Sequence, residues 1–556
     1  MRRLLRHAPV LFALLLAAAC GRDADVGGGT VIITTSADAD ALVPPLRATV
    51  GGKMVTELLF DPLVEIGPEL DPIGDEGFVG RLAKSWAWSP DSLVITFTLD
   101  ERARWHDGAP VVARDVAAGL AAIKAPANAS TLFADVLEID SVHVVDERTA
   151  ALHFRERHNE QMYSASLVTP LPSHLVDTIP DGALSSSAWA QAPVGSGPYR
   201  FVAREPKVRL ELAAVADHYR GRPGPDRIAM VVSESPATAI AKLWTEEADV
   251  WDVLPPPDVA EAAKHPHIRL VRSQGFDYAF VAFNYRDPRD TARAHPLLAE
   301  RRLRHALTMG VDREGIVRAL FDSLGRPGLG PFVRAQYSAD TTLAQLPFDT
   351  AAASALLDSL GWTGRTRDGI RTRGGRPLAL RAVVPAPSAN RVRASVLVQE
   401  QLRRVGVDVT LEKLEGGAFN AARDAGRWDL IFGGWGTTPS LRGTRTTWGT
   451  RTRPGWGRLN AGHFENATFT ASLDSALSAR DLPTARGHFR RAYEAAIDDA
   501  PAIWLYEPAP VNAVHRRFTL PAWRSEAWWR TLPQWTLDPA QALPRDRAAA
   551  GAAAAP

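Results

Sequence analysis

An α/β fold of several domain-sized units is what this sequence predicts, and three observations carry the prediction. Between residues 349 and 411, stretches of helical period alternate with strand-like apolar runs, the pattern of α/β units. The 556 residues correspond to about three or four units at ~100–200 residues per domain. Hydrophobic residues at 46% and charged residues at 23% match ordinary globular usage, which argues against disordered, collagen-like and coiled-coil chains.

In chain order, the first element is an export segment. Arg2, Arg3 and Arg6 precede an apolar run from Ala8 to Ala19 that ends on Cys20, the only cysteine. The run is too short to span a bilayer, and its basic start and small-residue end are those of a secretory signal. Leu16 to Cys20 (LAAAC) looks like a bacterial lipobox, with Ala17 where leucine is usual. The expectation is a signal peptide over 1–19, lipidation at Cys20 and a flexible tether over 20–29 (CGRDADVGGG). Inner or outer membrane is left open. A single cysteine excludes an intrachain disulfide, an iron–sulfur cluster and a cysteine-rich zinc site. Lys and Arg total 64 against 63 Asp and Glu, so no global field recruits nucleic acid.

Thr30–Thr35 is a β-branched run read as the first buried strand. Leu93, Ile95, Phe97 and Leu99 alternate with less apolar residues and predict a one-faced strand. Trp105 to Gly108 (WHDG) supplies a turn, and Asp115 to Ile123 has helical composition. Asp349 caps a helix that places Ala352, Leu356 and Leu360 on one face and stops at Gly361. A glycine-rich hairpin, a strand from Leu378 to Val384, a helix from about Asn390 to Arg404 and a strand through Val407, Val409 and Leu411 follow. The tail 548–556 is low-complexity and predicted to be disordered.

Local motifs for chemistry are weak. The His106-Asp107 pair is better read as part of a turn beside a packed tryptophan than as a catalytic or metal site. Gly195 to Tyr199 (GSGPY) lacks the spacing of a phosphate loop, and Pro198 removes a donor. His153 and His158 do not form H-E-x-x-H, and no G-x-S-x-G elbow occurs. No cofactor and no metal are expected, and the protein is read as a non-enzyme.

Several segments then line up in order. Leu82 to Leu99, Arg104 to Gly108, Pro193 to Phe201 (PVGSGPYRF), Tyr219 to Ile228, Phe280 to Asn284, Arg302 to Ala319, Val398 to Val409, Asp429 to Trp435 (DLIFGGW) and Ile503 to Val511 resemble the bacterial family 5 extracellular solute-binding proteins. These are the oligopeptide, dipeptide and nickel receptors of ABC importers. The resemblance implies a two-lobed periplasmic-binding-protein fold of the cluster C type with an additional α+β domain. Lobe I would combine 30–65, 193–270 and 506–547, the additional domain would be 66–192, and lobe II would be 271–505. It further implies a monomeric, lipid-anchored receptor that gives a peptide-like or other small organic ligand to an ABC permease. A sensory or chaperone-like binding protein of the same fold and a secreted hydrolase are the alternatives.

By matching positions, the ligand-binding residues would be Tyr278, Phe283 and Asn284 on one strand, Trp435, Thr437 and Thr438 after another, and Ser196 from the opposing lobe. Residues 49–53 would also face the cleft, although Lys53 reads better as plain surface. In peptide-binding relatives an acidic residue soon after the Gly-Trp pair meets the peptide ammonium group. Here no Asp or Glu occurs between Trp435 and Gly462. Arg442, Arg445, Arg451 and Arg453 make this stretch positive, and Trp448 and Trp456 add apolar faces. Arg445 and Trp448 therefore join the candidate list, and the expected ligand shifts away from simple di- and tripeptides.

Overall fold

Strand Thr30–Thr35 sits at the centre of a seven-stranded sheet because its Val31 and Ile33 are buried and both its edges are paired. In a computed structural model, which describes residues 27–452, 457 and 459–546, the sheet runs Ile268–Arg272, Val511–His515, Val250–Trp251, Thr30–Thr35, Arg227–Val232, Arg209–Ala214, Tyr199–Glu205. Residues from both ends of the chain thus share one sheet. Arg517, fully buried, pairs with Asp249 and Asp546 and ties the chain's last described turn to it. The leader, Cys20, Arg453, Trp456 and the tail 548–556 lie outside the described residues.

A six-stranded sheet runs Gly325–Arg326, Ala502–Pro508, Asp277–Phe283, Leu430–Gly436, Ala379–Pro385, Asp408–Leu414. Alternation along Asp277–Phe283 divides two cores: Ala279, Val281 and Phe283 enter one, while Tyr278, Phe280 and Ala282 enter the other. Helix Ala389–Arg404 connects the adjacent parallel strands Ala379–Pro385 and Asp408–Leu414, the α/β unit read from periodicity. The resemblance placed a boundary at 505/506. Strand Ala502–Pro508 instead stays in register with Gly325 and Arg326 through Pro508, so the chain crosses between sheets at 508–511. The other crossing is 272–277, and Ser273 N donates to Pro510 O at 3.1 Å, joining the two.

The four-stranded antiparallel sheet Ala83–Trp88, Val94–Leu99, Thr149–Phe154, Ile139–Val144 carries helix Ala113–Lys124. Ile95, Phe97 and Leu99 point inward as the alternation requires. This region does not own a separate core: its apolar residues run continuously into those of the seven-stranded sheet. Trp105 is buried and its Nε1 donates to Asp115 at 2.9 Å, while Gly108 takes a positive φ of 89° in the turn. His106 accepts from Gly195 N at 3.1 Å and donates to Gly197 O at 3.0 Å. The two glycine-containing motifs are therefore one structural joint. It presses on helix Val50–Leu59, where a Cβ on Gly195 would fall 2.0 Å from Leu59 O.

Candidate functional site

A cavity of about 450 Å³ lies between the two sheets, within the usual range for small-molecule sites. Helix Val50–Leu59, the segment Trp528–Gln534, residues of the 66–192 region, both crossings and residues 436–439 all line it. Filling it therefore touches both sides at once.

The helix supplies Lys53 and Glu57, four residues apart and hence on one face. Thr49 caps its start by accepting from Gly52 N at 3.2 Å, and Asp40 holds the Thr49 hydroxyl at 2.5 Å. Glu57 accepts from Trp529 Nε1 at 2.8 Å and from Arg530 at 2.8 and 2.9 Å, with Arg47 3.5 Å away. Burial alone would raise its pKa, but Arg530, Lys53 and Arg47 outweigh burial and hold the carboxyl far below the usual range. Lys53 has no hydrogen bond or ion pair within 4 Å among the described residues. Its ammonium group sits 5.6 Å from the centre of the Trp529 ring. Shielding by the cavity walls lowers its pKa, Glu57 partly offsets this, and Arg530 and Arg47 add to it.

On the hinge side stand Asp252 and Asp277. Asp252 accepts from Trp528 Nε1 at 2.9 Å and Asn512 Nδ2 at 2.7 Å. Asp277 opens its strand directly opposite Gly436 in the antiparallel ladder. Desolvation raises the pKa of both; for Asp277, Arg391 opposes the rise and Asp252 adds to it.

Thr437 and Thr438 line the cavity, and Thr437 is fixed by Phe276 O, which accepts from both its backbone N and its hydroxyl at 2.7 Å. Tyr163, from the 66–192 region, lies on the wall and interacts with Thr438. The other expected residues sit elsewhere. Tyr278 and Phe283 are five apart on one strand, so they point to opposite faces and into different cores. Tyr278 Oη accepts from buried Trp448 Nε1 at 2.7 Å, so both belong to the aromatic core, with Trp435 packed at its edge. Asn284 is fully buried and donates to Gly426 O and Trp428 O at 3.0 and 2.8 Å, which fixes a loop. Ser196 accepts from Asp61 N at 3.2 Å beneath the cavity wall. Arg445 is 1% exposed and binds Asp474 at 2.7 Å, Thr450 O at 2.8 Å and Thr452 at 2.9 Å, knitting its own loop together. Arg442 reaches Glu138 at 3.4 Å across to the 66–192 region.

The expectation for Lys53 as surface is corrected: it faces the cavity. Glu57, Asp252, Asp277, Trp528, Trp529 and Arg530 escaped the sequence reading. Two signals were there: opposite charges one turn apart in an otherwise apolar helix, and the adjacent Trp528-Trp529-Arg530 triplet. Among the described residues no cluster of His, Cys, Asp and Glu suits a metal ion, and no helix is long and apolar enough to cross a membrane.

Comparison with known proteins fits this geometry. A chain of Brucella ovis, provisionally named as an ABC transporter peptide-binding protein, is 28% identical over 396 residues, 70% of each chain. Two solved structures share the fold over 92% of this chain. NikA from Brucella suis in complex with Fe(III)-EDTA matches with a TM-score of 0.79 at 18% identity over 100% of its length. The oligopeptide-binding protein AppA from Bacillus subtilis in complex with a nonapeptide matches with a TM-score of 0.74 at 19% identity over 99% of its length. The family profile of bacterial extracellular solute-binding proteins, family 5 (middle region), matches residues 77–452, more than half of the sequence. The chain belongs to the family 5 bacterial extracellular solute-binding proteins.

Proposed function

We propose that this protein is a lipid-anchored extracytoplasmic receptor that captures a small organic or peptide-like solute between its two sheets and delivers it to an ABC import permease. The observation that carries this reading is the cavity's construction: both sheets and both crossings contribute walls, so an occupant bridges the two halves. A solute bound there favours the closed arrangement by its differential contacts, and a permease reads that arrangement. The leader ending on Cys20 supports a lipid anchor, and the monomer expected from the sequence is the simplest unit, since the cavity is complete within one chain. Thr437, Thr438, Lys53 and Trp529 are the residues we assign to ligand contact.

The test is a thermal-shift screen of the purified protein against peptides, sugars, organic acids and metal chelates. One class should raise the melting temperature; a ligand at a hundredfold excess over Kd stabilises by about 2.7 kcal/mol. The solute recovered afterwards should be unchanged in mass, as a receptor requires; a hydrolase working through the cavity carboxylates Asp252 and Asp277 would consume it. No stabilising class, or consumption of the solute, would overturn the receptor reading. Labelling with radioactive palmitate should mark the wild-type chain in bacteria and fail with Cys20→Ala.

A further inference from the structure

Away from the cavity, the 66–192 region meets the half of the molecule built on the six-stranded sheet at a second recess. Arg157, His158 and Asn159 line it from the first side, and Ala479 and Arg480 from the other. Arg480 lies just beyond helix Ala467–Ser478, whose Phe469, Leu473 and Leu477 belong to the aromatic core. Asn159 fastens the two sides: its backbone N donates to Leu477 O at 3.0 Å and its Nδ2 to Ala476 O at 2.8 Å. The recess holds about 120 Å³, several times the space one water needs and enough for a tetrahedral oxyanion.

Its chemistry is one-sided. Arg157 and Arg480 both line it, one from each side, and no acidic residue does. Both are exposed, and among the described residues neither guanidinium has an ion pair or a hydrogen bond. Other arginines that join distant segments are matched, Arg442 with Glu138 and Arg334 with Glu507. Like charges that share a small recess across a joint repel, and an anion between them replaces that repulsion with two attractions. Asn159 adds an independent feature. Its Nδ2 is committed to Ala476 O, which fixes the amide's orientation, and its buried Oδ1 has no hydrogen-bond partner among the described residues. An acceptor left in this way favours a ligand that brings a donor. The helix's last carbonyls would oppose an anion, but the two Asn159 donors cover those of Ala476 and Leu477.

We propose that this recess is an inorganic phosphate site that clamps the joint. Guanidinium groups grip phosphate oxygens through paired N–H···O bonds, and Arg157 and Arg480 supply one such group from each side. Near neutral pH inorganic phosphate also keeps an O–H that can donate to Asn159 Oδ1. Sulfate has the same shape and no such hydrogen, and a phosphate monoester has mostly lost it at pH 7. Both parts joined here also wall the ligand cavity, so phosphate and solute each favour the joined arrangement and each strengthens the other's binding. The phosphate site is testable without the cavity's solute, so its failure is separate from failure of the receptor reading.

Calorimetry and thermal melting of the full chain, at pH 7 and constant ionic strength in chloride, compare inorganic phosphate, sulfate and glycerol 3-phosphate. Phosphate should bind once per chain, raise the melting temperature and be preferred at least tenfold over the other two. Arg157→Gln and Arg480→Gln should each weaken phosphate at least tenfold. Neither should change the melting temperature in chloride, because neither guanidinium holds a partner in the fold. Loss in only one of the two variants would put the anion on a single surface arginine and overturn the clamp. Sulfate binding within twofold of phosphate, tighter binding of the monoester, undiminished phosphate binding in the double variant, or no phosphate binding would each overturn the site.

Discussion

Glu57 and Lys53 differ by one helical turn and by almost everything else that decides what a charge does inside a protein. Glu57 is 10% exposed and saturated by Arg530, Arg47 and Trp529. Removing one member of such a set leaves the others desolvated and uncompensated, at about 3–5 kcal/mol. Glu57→Ala should lower thermal stability by that order. Lys53→Met should leave stability equal or higher, because it removes an unpaired ammonium group and keeps an apolar chain over Trp529. Calorimetric melting of both variants checks the contrast, and a large loss in Lys53→Met would mean that its charge is structurally paired. The sign of the pH effect follows: the depressed Glu57 pKa gives stability that is present above the ordinary carboxylate range and is lost as pH falls through the lowered value. Arg445 teaches the complementary lesson. In sequence it is one of several arginines in a positive loop; in the structure it is spent on Asp474, Thr450 and Thr452.

Strands and helices were legible because their signals are local. The alternation at Ile95, Phe97 and Leu99 and the helix that became Ala389–Arg404 need only their own residues. The cavity was not legible for the opposite reason: Lys53, Asp252, Asp277 and Trp529 are brought together by pairing between distant segments, and ladder register has no local sign. The family resemblance located the 437–438 segment, since a motif precedes it. It misplaced Tyr278 and Phe283 together, although strand period alone sends them to opposite faces. The crossings illustrate what an element needs beyond its own pattern. Gly275 approaches the other crossing so closely that a Cβ would lie 2.5 Å from Pro508 O and 3.1 Å from Pro510. Gly275→Ala should push the crossings apart and lower the melting temperature by several degrees, with about 1–3 kcal/mol of overpacking strain. An unchanged melting temperature would show that the crossings have slack.

At the scale of the molecule, one buried carboxylate joins parts that the chain keeps far apart. Glu160, fully buried in the 66–192 region, accepts from the Ser440 hydroxyl at 2.5 Å, Leu441 N at 3.1 Å and the Tyr337 hydroxyl at 3.3 Å, all beyond the crossing. Arg442, paired with Glu138, is the cation facing it. Ser440 and Leu441 directly follow the cavity residues Thr437 and Thr438, yet Glu160 itself is outside the cavity wall. Each ordinary hydrogen bond contributes about 0.5–1.5 kcal/mol net, so losing this set of three biases the molecule against the arrangement in which both halves touch a solute. Glu160→Ala should weaken ligand binding at least tenfold, the equivalent of about 1.4 kcal/mol, while removing no ligand contact. Burial is the dominant influence on Glu160 and raises its pKa, outweighing the hydrogen bonds and Arg442. A carboxyl raised in this way favours the joined arrangement most when protonated, and that contribution fades as pH rises through the raised value. Small-angle scattering of the unliganded protein should therefore show a more compact particle on mild acidification in the wild type and no such change in Glu160→Gln. A Glu160→Ala variant that keeps wild-type affinity would show that the contact forms without helping to hold the halves together.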